Sequence, residues 1–416
     1  MSNRKRTVLN ILVFSQYFWP ENFRINDLVK ALMAKGVTVD VVTGQPNYPD
    51  GHVFDGYRAG AFTKHSWSDA TVYRLPLIPR GRGSAVQLIC NYLSFVLSGI
   101  LLAPFALRRK RVDVVFVYAI SPILQAIPAI VLKWIKGAKL VIWVQDLWPE
   151  SLEATGFVRN RWILAMVGVV VRWIYRQADL ILVQSEAFVE PVAALADRKK
   201  ICYYPNSADD VFSSSSVSEN CPIDGLNDGF SVVFAGNLGS AQSVETIIEA
   251  AALLQDAPDI RIFLVGDGSR ADWVHDEIQM RGLKNVVMAG RHSLESMPAI
   301  LSGSGALLVT LRDEPIFYHT VPSKVQAYLA MGRPIIACVN GEGARIIMEA
   351  DAGISCPAED AASLAVAIKQ LSNMTTEERK RLGENGQRYF QTHYDSGMLT
   401  QTLISHFENL IASGRD

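Results

Sequence analysis

A short segment in the second half of the chain combines residue types that bind a phosphate. It reads Val321-Pro322-Ser323-Lys324, in which Pro322 and Ser323 open a predicted helix and Lys324 lies in its first turn. A lysine at a helix N-terminus opposes the helix dipole, so its presence there is favourable when an anion is bound. A surface serine cap beside a solvated lysine is the alternative interpretation.

Glycine-containing turns follow three predicted strands of the same half. After the strand at 231–235 the chain reads GNLGSAQ, and two glycines at a strand-to-helix turn let backbone N–H groups approach a phosphate. Two further strands end in Gly-Asp-Gly and in Gly-Arg-His. Besides Pro322, Ser323 and Lys324, the residues that we predict to bind an anionic ligand are Asn237, Gly239, Gln242, Gly266, Asp267, Gly268, Arg291 and His292.

Three loops of the first half concentrate polar and aromatic side chains. Residues 16–27 read QYFWPENFRIND, residues 44–52 read GQPNYPDGH, and residues 143–151 read WVQDLWPES. The first loop has no Gly-x-Gly, so it is not a dinucleotide-binding fingerprint, and its composition suits recognition of a sugar and a phosphate. A packed loop in which Arg24 pairs with Asp27 is the alternative. Each loop follows a predicted strand, where open α/β sheets bind ligands.

The third loop contains a carboxylate at the end of an otherwise apolar strand, Asp146. We expect this carboxylate to emerge at the edge of the sheet, where it can orient a hydroxyl group. Alternatively, Asp146 or Glu150 only caps the following helix. The residues of the three loops that we predict to bind a second substrate are Glu21, Asn22, Arg24, Asn26, Asn47, Tyr48, His52 and Glu150.

The sequence lacks common metal-binding and nucleophile motifs. It contains no Asp-x-Asp triplet, no HExxH, no GxSxG and no Walker-type loop, and its five cysteines show no CxxC spacing. We therefore expect no metal and no cofactor, so that Lys324, Arg291, backbone N–H groups and helix dipoles must meet the charge of a leaving phosphate. The odd number of cysteines fits a reducing compartment.

Apolar strands alternate with helical segments along the chain, which is typical of parallel sheets covered on both faces. The predicted strands lie at 9–14, 37–43, 113–119, 139–145, 180–184, 231–236, 261–266, 285–289, 306–311 and 334–339. The fold class is therefore α/β, with two doubly wound, Rossmann-like domains. The polar stretch 206–228 separates a domain 1–208 from a domain 209–395, and we predict that the helical tail 396–416 crosses back to the first domain.

The two halves differ in charge and in apolar surface. Residues 1–208 carry 25 Lys/Arg against 14 Asp/Glu and seven of the eight Trp, whereas the remainder carries 15 against 27. This division favours an anionic surface or lipid head group as a partner of the first half, and uneven surface charge without a partner is the alternative.

An apolar segment of the first half suggests where such a surface would bind. Residues 83–107 carry no charge and precede Arg108-Arg109-Lys110-Arg111, which favours a helix lying in a membrane interface over a core helix or a true span. Residues 162–175 are a weaker second candidate. The N-terminus, MSNRKRTVLNILVF, is interpreted as a first buried strand and not as a signal peptide.

Several of these segments together resemble a known family. GNLGSAQ, VGDG, AGRH, PSK, YLAMGRPII and GEGARII resemble the GT-B retaining glycosyltransferases of family four. QYFWPENFRIND, TGQPNYPDG and QDLWPES resemble its WbuB-type subgroup, L-fucosamine or fucose transferases of O-antigen and capsule assembly. The resemblance covers about residues 8–395. It implies GT-B architecture, with two domains facing a cleft, the nucleotide sugar on the second and the acceptor on the first.

This sequence departs from the family at two pairs of positions. The family's usual Arg and Lys fall on Asn237 and Gln242, and its usual paired glutamates fall on His319 and Ala327. The resemblance then implies that diphosphate binding rests more heavily on Lys324 and backbone groups, and that His319 addresses the donor sugar.

The resemblance implies a metal-independent transferase that moves an N-acetyl-L-fucosamine-like sugar from a UDP-sugar to a lipid-diphosphate-linked sugar. Glu21 and Asp146 would position the acceptor hydroxyl, and Lys324 would stabilise the leaving diphosphate. We expect a peripheral protein on the cytoplasmic face of a bacterial membrane, with an anionic membrane surface and no nucleic acid among its partners. The alternatives are a GDP-fucose-using transferase, a sugar-nucleotide 2-epimerase of the same fold, and a non-catalytic assembly partner.

Overall fold

The chain divides into two α/β units. In the computed structural model, which describes residues 8–81, 85–154, 160–212 and 222–413, one unit comprises Met1–Pro205 with Ser396–Asp416 and the other comprises Asn206–Asp395. The change of unit coincides with the start of the polar stretch 206–228. Residues 213–221 of that stretch, with its serine run and Cys221, lie outside the described residues.

The first unit is built around one twisted sheet. Its strands are β1 (Asn10–Phe14), β2 (Thr38–Gly44), β3 (Thr63–Trp67), β4 (Ala70–Leu75), β5 (Val114–Ala119), β6 (Lys139–Val144), β7 (Leu180–Val183) and β8 (Ile201–Tyr203). Its helices up to this point are α1 (Arg24–Ala34), α2 (Ala85–Ala106), α3 (Ala126–Lys136), α4 (Glu150–Ala154), α5 (Arg161–Gln177) and α6 (Val189–Ala193). The strand order is β3-β4-β2-β1-β5-β6-β7-β8, parallel except for the antiparallel pair β3–β4.

The second unit has a fully parallel sheet. Its strands are β9 (Phe230–Ala235), β10 (Ile260–Val265), β11 (Val286–Gly290), β12 (Ala306–Thr310), β13 (Ile335–Cys338) and β14 (Gly353–Cys356). Its helices are α7 (Val244–Ala252), α8 (Ala271–Arg281), α9 (Met297–Gly303), α10 (Pro315–Tyr318), α11 (Ser323–Met331), α12 (Glu342–Glu349), α13 (Ala361–Asn373) and α14 (Thr376–His393). The strand order is β11-β10-β9-β12-β13-β14.

The central strands are apolar because helices cover both faces of each sheet. Every residue of β5, β9 and β12 is buried. Such continuous apolar runs are the sequence signature of buried parallel strands, and the predicted α/β fold with two Rossmann-like units is confirmed. In a parallel sheet all carboxyl ends lie at one edge, so the loops that follow the strands are brought together there.

The last helix, α15 (Ser396–Ala412), belongs to the first unit, as predicted for the tail 396–416. It contributes Leu399, Leu403 and Phe407 to the hydrophobic core that lies between α1 and the sheet. The ring of Phe407 is 5.5 Å from that of Phe116 on β5. Residues 414–416 of the predicted tail lie outside the described residues.

Helix α2 presents two faces of different character. Its buried face carries Asn91, Phe95, Gly99 and Ala103 at intervals of four residues. Its opposite face carries six apolar side chains that are 53–71% exposed, namely Val86, Ile89, Leu93, Leu97, Leu101 and Phe105. Among the described residues α2 is the one helix long and apolar enough to cross a bilayer, and 28% of its most apolar window is buried. Residues 83 and 84 of the predicted segment lie outside the described residues.

Candidate functional site

The turns after β9 and β10 approach each other so closely that only glycine fits between them. Gly236 and Gly266 adopt φ values of +133° and +135°. A Cβ at Gly266 would lie 1.9 Å from the carbonyl oxygen of Gly236, and a Cβ at Gly268 would lie 2.4 Å from the Asn237 side-chain oxygen. These glycines therefore bring the backbones of two predicted ligand-binding turns into contact.

Lys324 lies in the first turn of α11, and its side chain passes over Gly236. A Cβ at Gly236 would lie 2.8 Å from the Lys324 Cε, so a larger residue there would displace the lysine. The Lys324 ammonium donates a 2.5 Å hydrogen bond to Gln242 Oε1 and lies 3.6 Å from the ring centroid of Phe234. Burial lowers the pKa of Lys324 to about 7.

The neighbours of Lys324 carry no formal negative charge. Within the described part of the chain no carboxylate forms an ion pair with it, and its hydrogen-bond acceptor is a neutral amide. An ammonium that is partly removed from water and has no counter-ion is unfavourable unless an anion binds beside it. The structure therefore brings together Gln242, Gly236 and Lys324 as a cradle for an anion.

Other predicted donor-side residues lie in the neighbouring turns. Asp267 accepts a hydrogen bond from the Gly268 N–H (2.7 Å) and another from Arg291 Nε (2.9 Å), so Arg291 is held in an exposed ion pair. His292 contacts the Ala289 carbonyl at 3.2 Å. The Asp267 carboxylate therefore orients the Arg291 guanidinium.

His319 and Ala327, the positions where the family resemblance implies glutamates, lie in different environments. Ala327 is buried in α11, whereas His319 follows α10 and is half-buried. Next to His319, Tyr318 donates a hydrogen bond to Asp313, and Asn340 Nδ2 donates to the same Asp313 oxygen at 2.7 Å.

Sequence reasoning missed one basic pair of the second unit. Arg312 lies two residues beyond β12, and its N–H donates to the Ala241 carbonyl at 3.1 Å in the turn that also contains Gln242. Its guanidinium is 3.9 Å from Glu245, which also accepts a 2.5 Å hydrogen bond from Arg270. Arg312 could have been predicted as a site residue because it is a cation that directly follows a predicted strand.

Glu21 of the first unit joins two loops at the carboxyl edge of the sheet. One carboxylate oxygen accepts the N–H groups of Asn47 and Tyr48, both at 2.8 Å, and the other accepts the Phe18 N–H at 3.2 Å. The side chain is 2% exposed, and burial raises the pKa of Glu21 to about 7 against the opposing effect of these bonds. This geometry favours a positioning role for Glu21 over direct contact with an acceptor.

A fully buried arginine that sequence reasoning missed supports the same loops. Arg74 on β4 donates to the carbonyls of Gly44 (3.0 Å) and Trp19, and burial lowers its pKa. Asn26 accepts from the Trp19 N–H at 2.9 Å and donates to the Glu21 carbonyl at 2.8 Å. Asn26 therefore contributes to the loop framework.

Buried amides extend this framework to α2. Gln16 Nε2 donates to Asn91 Oδ1 at 2.7 Å, and the Gln16 N–H donates to Gln125 Oε1 at 2.7 Å. Asn91 Nδ2 also lies 3.5 Å from Asn47 Oδ1. The loops that follow β1, β2 and β5 are thus tied to one helix, and Asn47 is a member of the network with no exposed surface.

Asp146 lies at the end of β6 and accepts a 3.0 Å hydrogen bond from the Ser121 N–H, which follows β5. Burial raises its pKa. Burial raises the pKa of Tyr92 on α2, and the negative charge of Asp146 adds to this shift. Glu150 is the exposed first residue of α4.

The remaining predicted acceptor residues differ in accessibility. Tyr48 is 38% exposed and packs against Tyr17 and Phe23, with ring centroids 5.6 and 5.2 Å away. Asn22 and His52 are exposed, and Arg24 is half-buried at the start of α1. Asp27, the alternative partner considered for Arg24, lies 3.5 Å from Lys30.

Two family descriptions match the chain in tandem. "Glycosyl transferase 4-like domain" matches residues 22–207, and "Glycosyl transferases group 1" matches residues 223–389. The chain is 25% identical over 344 residues to a protein named as the colanic acid biosynthesis glycosyl transferase WcaI of Escherichia coli K12, covering 78% of this chain and 82% of WcaI. It is 28% identical over 276 residues to one named as the glycosyltransferase WbjE of Pseudomonas aeruginosa, covering 64% and 68%.

Solved structures share the fold at low sequence identity. The Anabaena protein HepE, crystallised with UDP, superposes with a TM-score of 0.69 at 15% identity, covering 96% of this chain and 100% of HepE. The trehalose 6-phosphate synthase of Burkholderia multivorans gives 0.73 at 11% identity, covering 98% and 100%. The chain is therefore a glycosyltransferase of the GT-B fold, and its two units are similar to the family 4-like and group 1 glycosyl transferases, respectively.

Proposed function

We propose that this glycosyltransferase moves a sugar from a nucleotide diphosphate sugar, bound by the second unit, to a lipid-diphosphate-linked saccharide, bound by the first. The reaction would belong to surface polysaccharide assembly, as the names of WcaI and of the O-antigen chain mannosyltransferase C of Escherichia coli indicate for those relatives. The observation that carries the proposal is Lys324, whose half-buried side chain has a neutral hydrogen-bond partner beside two close glycine turns.

The donor diphosphate would bind where Lys324 and the N-terminus of α11 converge. The ammonium supplies a positive charge, and the first backbone N–H groups of α11 supply further donors. Ser323, at the start of the helix, is exposed and available as an additional donor. These groups would stabilise negative charge on the leaving diphosphate without a metal.

The transfer itself would proceed on one face of the donor sugar. The acceptor hydroxyl oxygen bonds to the anomeric carbon while the bond between that carbon and the diphosphate oxygen breaks. The hydroxyl proton passes to the departing phosphate oxygen, and the products are the extended acceptor and the nucleoside diphosphate. Asp146 would orient the hydroxyl, and Glu21 would hold the loops that carry Tyr48.

Three neighbouring helices of the first unit support a membrane-bound acceptor. Besides the exposed face of α2, α3 exposes Trp134 and Ile135 (58% and 57%), and α5 exposes Trp162, Met166 and Val169 (62–83%). Helix α3 packs against both α2 and α5. We call these exposed side chains of α2, α3 and α5 the apolar surface, and we propose that it lies on the cytoplasmic face of a bacterial membrane.

Basic residues adjoin the apolar surface at the end of α2. Arg108, Arg109 and Arg111 are exposed, and the Arg108 guanidinium lies 4.7 Å from the ring centroid of Phe105. An apolar helix face flanked by arginines is the pattern of a helix that lies in the interface of an anionic bilayer. This surface favours a transferase over a sugar-nucleotide epimerase, which needs no lipid.

The donor that we propose is a UDP-linked deoxy-amino sugar of the N-acetyl-L-fucosamine type, with GDP-fucose as the alternative. Thermal unfolding in the presence of UDP, GDP, dTDP or CMP tests the base. We expect stabilisation by UDP above the other three. Stabilisation by GDP alone would indicate a GDP-sugar as the donor. Stabilisation by none of the four nucleotides would contradict a nucleotide-sugar site.

A further inference from the structure

One cation of the first unit has no place in the framework described above. Arg80 lies in the segment between β4 and α2, and its backbone N–H donates to Asn47 Oδ1 at 3.0 Å. The same segment is fixed to α2, because Asn91 Nδ2 donates to the Ile78 carbonyl at 2.6 Å and the Ile78 N–H donates to Ser94 Oγ at 2.9 Å. The backbone around Arg80 is thus held between Asn47, in the loop after β2, and α2.

The Arg80 guanidinium packs on one phenol ring and forms no ion pair with a carboxylate in the described part of the chain. It lies 5.0 Å from the ring centroid of Tyr48, and its charge lowers the pKa values of Tyr17 and Tyr92, which burial raises. No ion pair joins Arg80 to an acidic side chain in the described ranges of the chain. Its five donors are therefore free to meet an oxyanion.

The position of Arg80 matches the chemical order of a lipid-linked acceptor. The exposed apolar residues nearest along α2 are Val86, Ile89 and Leu93, while Asn91 of the same turns is buried and forms hydrogen bonds with Gln16 and the Ile78 carbonyl. A lipid-linked sugar presents hydrocarbon, then diphosphate, then sugar. In the first unit, α2 carries part of the apolar surface, and Arg80 lies in the segment that leads into α2 and contacts the ring of Tyr48.

We propose that Arg80 binds the diphosphate of the lipid-linked acceptor, with the Tyr48 ring holding the guanidinium in place. This inference rests on the proposed function, and it assigns the polar contact that would discriminate a lipid diphosphate from an uncharged lipid glycoside. A planar guanidinium suits this task because it donates two parallel hydrogen bonds to phosphate oxygens, whereas a lysine acts as a single point charge.

The test is calorimetric titration of the full chain with geranyl diphosphate, a short lipid diphosphate that carries no sugar. We expect Arg80→Gln to weaken binding at least tenfold and Arg80→Lys to weaken it less. Arg58→Gln removes an exposed arginine of the same unit and should bind geranyl diphosphate like the wild type. All titrations contain a saturating concentration of the stabilising nucleoside diphosphate, which occupies the other candidate phosphate site at Lys324. Unchanged melting temperatures exclude misfolding as the cause.

Phosphatidylglycerol vesicles distinguish the acceptor diphosphate from a phosphate of the bilayer. Arg80→Gln should co-sediment with them as the wild type does. Loss of vesicle binding with unchanged affinity for geranyl diphosphate would overturn the inference, as would equal affinity of wild type and Arg80→Gln or no binding by the wild type. Loss of geranyl diphosphate binding in Arg80→Gln, combined with no sugar transfer by the wild type, would contradict the proposed function and leave the Arg80 inference standing.

Discussion

At the residue scale, the proposed binding of the nucleotide depends most on the half-buried side chain of Lys324. Lys324 donates to the neutral amide of Gln242 and packs on the ring of Phe234. We expect Lys324→Gln to raise the dissociation constant of the stabilising nucleotide about 10- to 100-fold, which is the usual effect of losing a hydrogen bond to a charged group. Isothermal titration measures it. Lys369→Gln, which removes a lysine paired with Asp256 on the surface of the same unit, should change nothing.

The lowered pKa of Lys324 predicts a pH dependence of binding. With a pKa of about 7 in the free protein, the side chain loses its proton as the pH rises from 7 to 9. Because a bound diphosphate favours the ammonium form, the nucleotide dissociation constant should increase by up to about tenfold per pH unit in this range. Titrations between pH 7 and 9 test this expectation. If the dissociation constant of Lys324→Gln depends on pH as steeply as that of the wild type, another titrating group causes the dependence.

Glu21 should matter first for stability. Replacing it with Gln leaves at least one of three backbone N–H groups without an acceptor. We expect Glu21→Gln to lower the free energy of unfolding by about 2 kcal/mol, measured by urea denaturation at pH 5, where the native carboxyl of Glu21 is protonated and its raised pKa offsets little of the loss. Glu150→Gln, at an exposed position of the same unit, should cost little. Equal free energies of unfolding for Glu21→Gln and Glu150→Gln would contradict the role of Glu21 in holding these loops.

Sequence reasoning identified Lys324 because serine, lysine and a helix start are adjacent in the chain. It could not separate Glu21 and Asn47, which hold the loops, from Tyr48, which is exposed, because burial depends on contacts between residues far apart in sequence. Sequence reasoning missed Arg74 because a fully buried arginine on an apolar strand is rare. Its carbonyl partners also come from two other segments of the chain.

At the element scale, α2 connects two functions. One face carries Asn91, which is bonded to Gln16 and to the segment before the helix, and the other carries six exposed apolar side chains. The uncharged length of 83–107 predicted the helix, but only the structure separates its two faces. The same helix therefore contributes to the acceptor loops and to the apolar surface.

We predict that Leu97→Glu weakens binding to phosphatidylglycerol vesicles by about tenfold or more, since it replaces an inserted apolar side chain with a charge of the same sign as the lipid. Leu97 is 60% exposed, so folding should be unaffected. Leu253→Glu, at a 54% exposed position of the second unit, is the matched control. Vesicle co-sedimentation measures both, and equal binding by Leu97→Glu and wild type would exclude α2 as the contact.

The ten predicted strands are all present, because buried parallel strands form continuous apolar runs. β3, β8 and β14 were missed for a physical reason. They lie at or beside sheet edges, are short or partly exposed, and so carry a weaker apolar pattern. Residues 71–77 also form a strand-like run in the sequence, and this run corresponds to β4, which ends at Leu75 before a proline.

At the scale of the whole molecule, the two units carry different features. The first 208 residues hold the excess of positive charge, the exposed tryptophans and the acceptor loops, whereas the second unit holds the glycine turns and Lys324. The C-terminal helix α15 returns to the first unit through Leu403 and Phe407. Composition alone predicted two domains and their charge difference, but the choice of sugar is not encoded in any such bulk property.

The most direct test of the central claim is mass spectrometry of a lipid-diphosphate-linked monosaccharide incubated with the wild-type protein and a panel of UDP- and GDP-linked sugars. We predict that the acceptor gains the mass of one sugar and that nucleoside diphosphate is released only when acceptor is present. Consumption of the donor without acceptor, with formation of an isomeric sugar and no extended lipid, would contradict it.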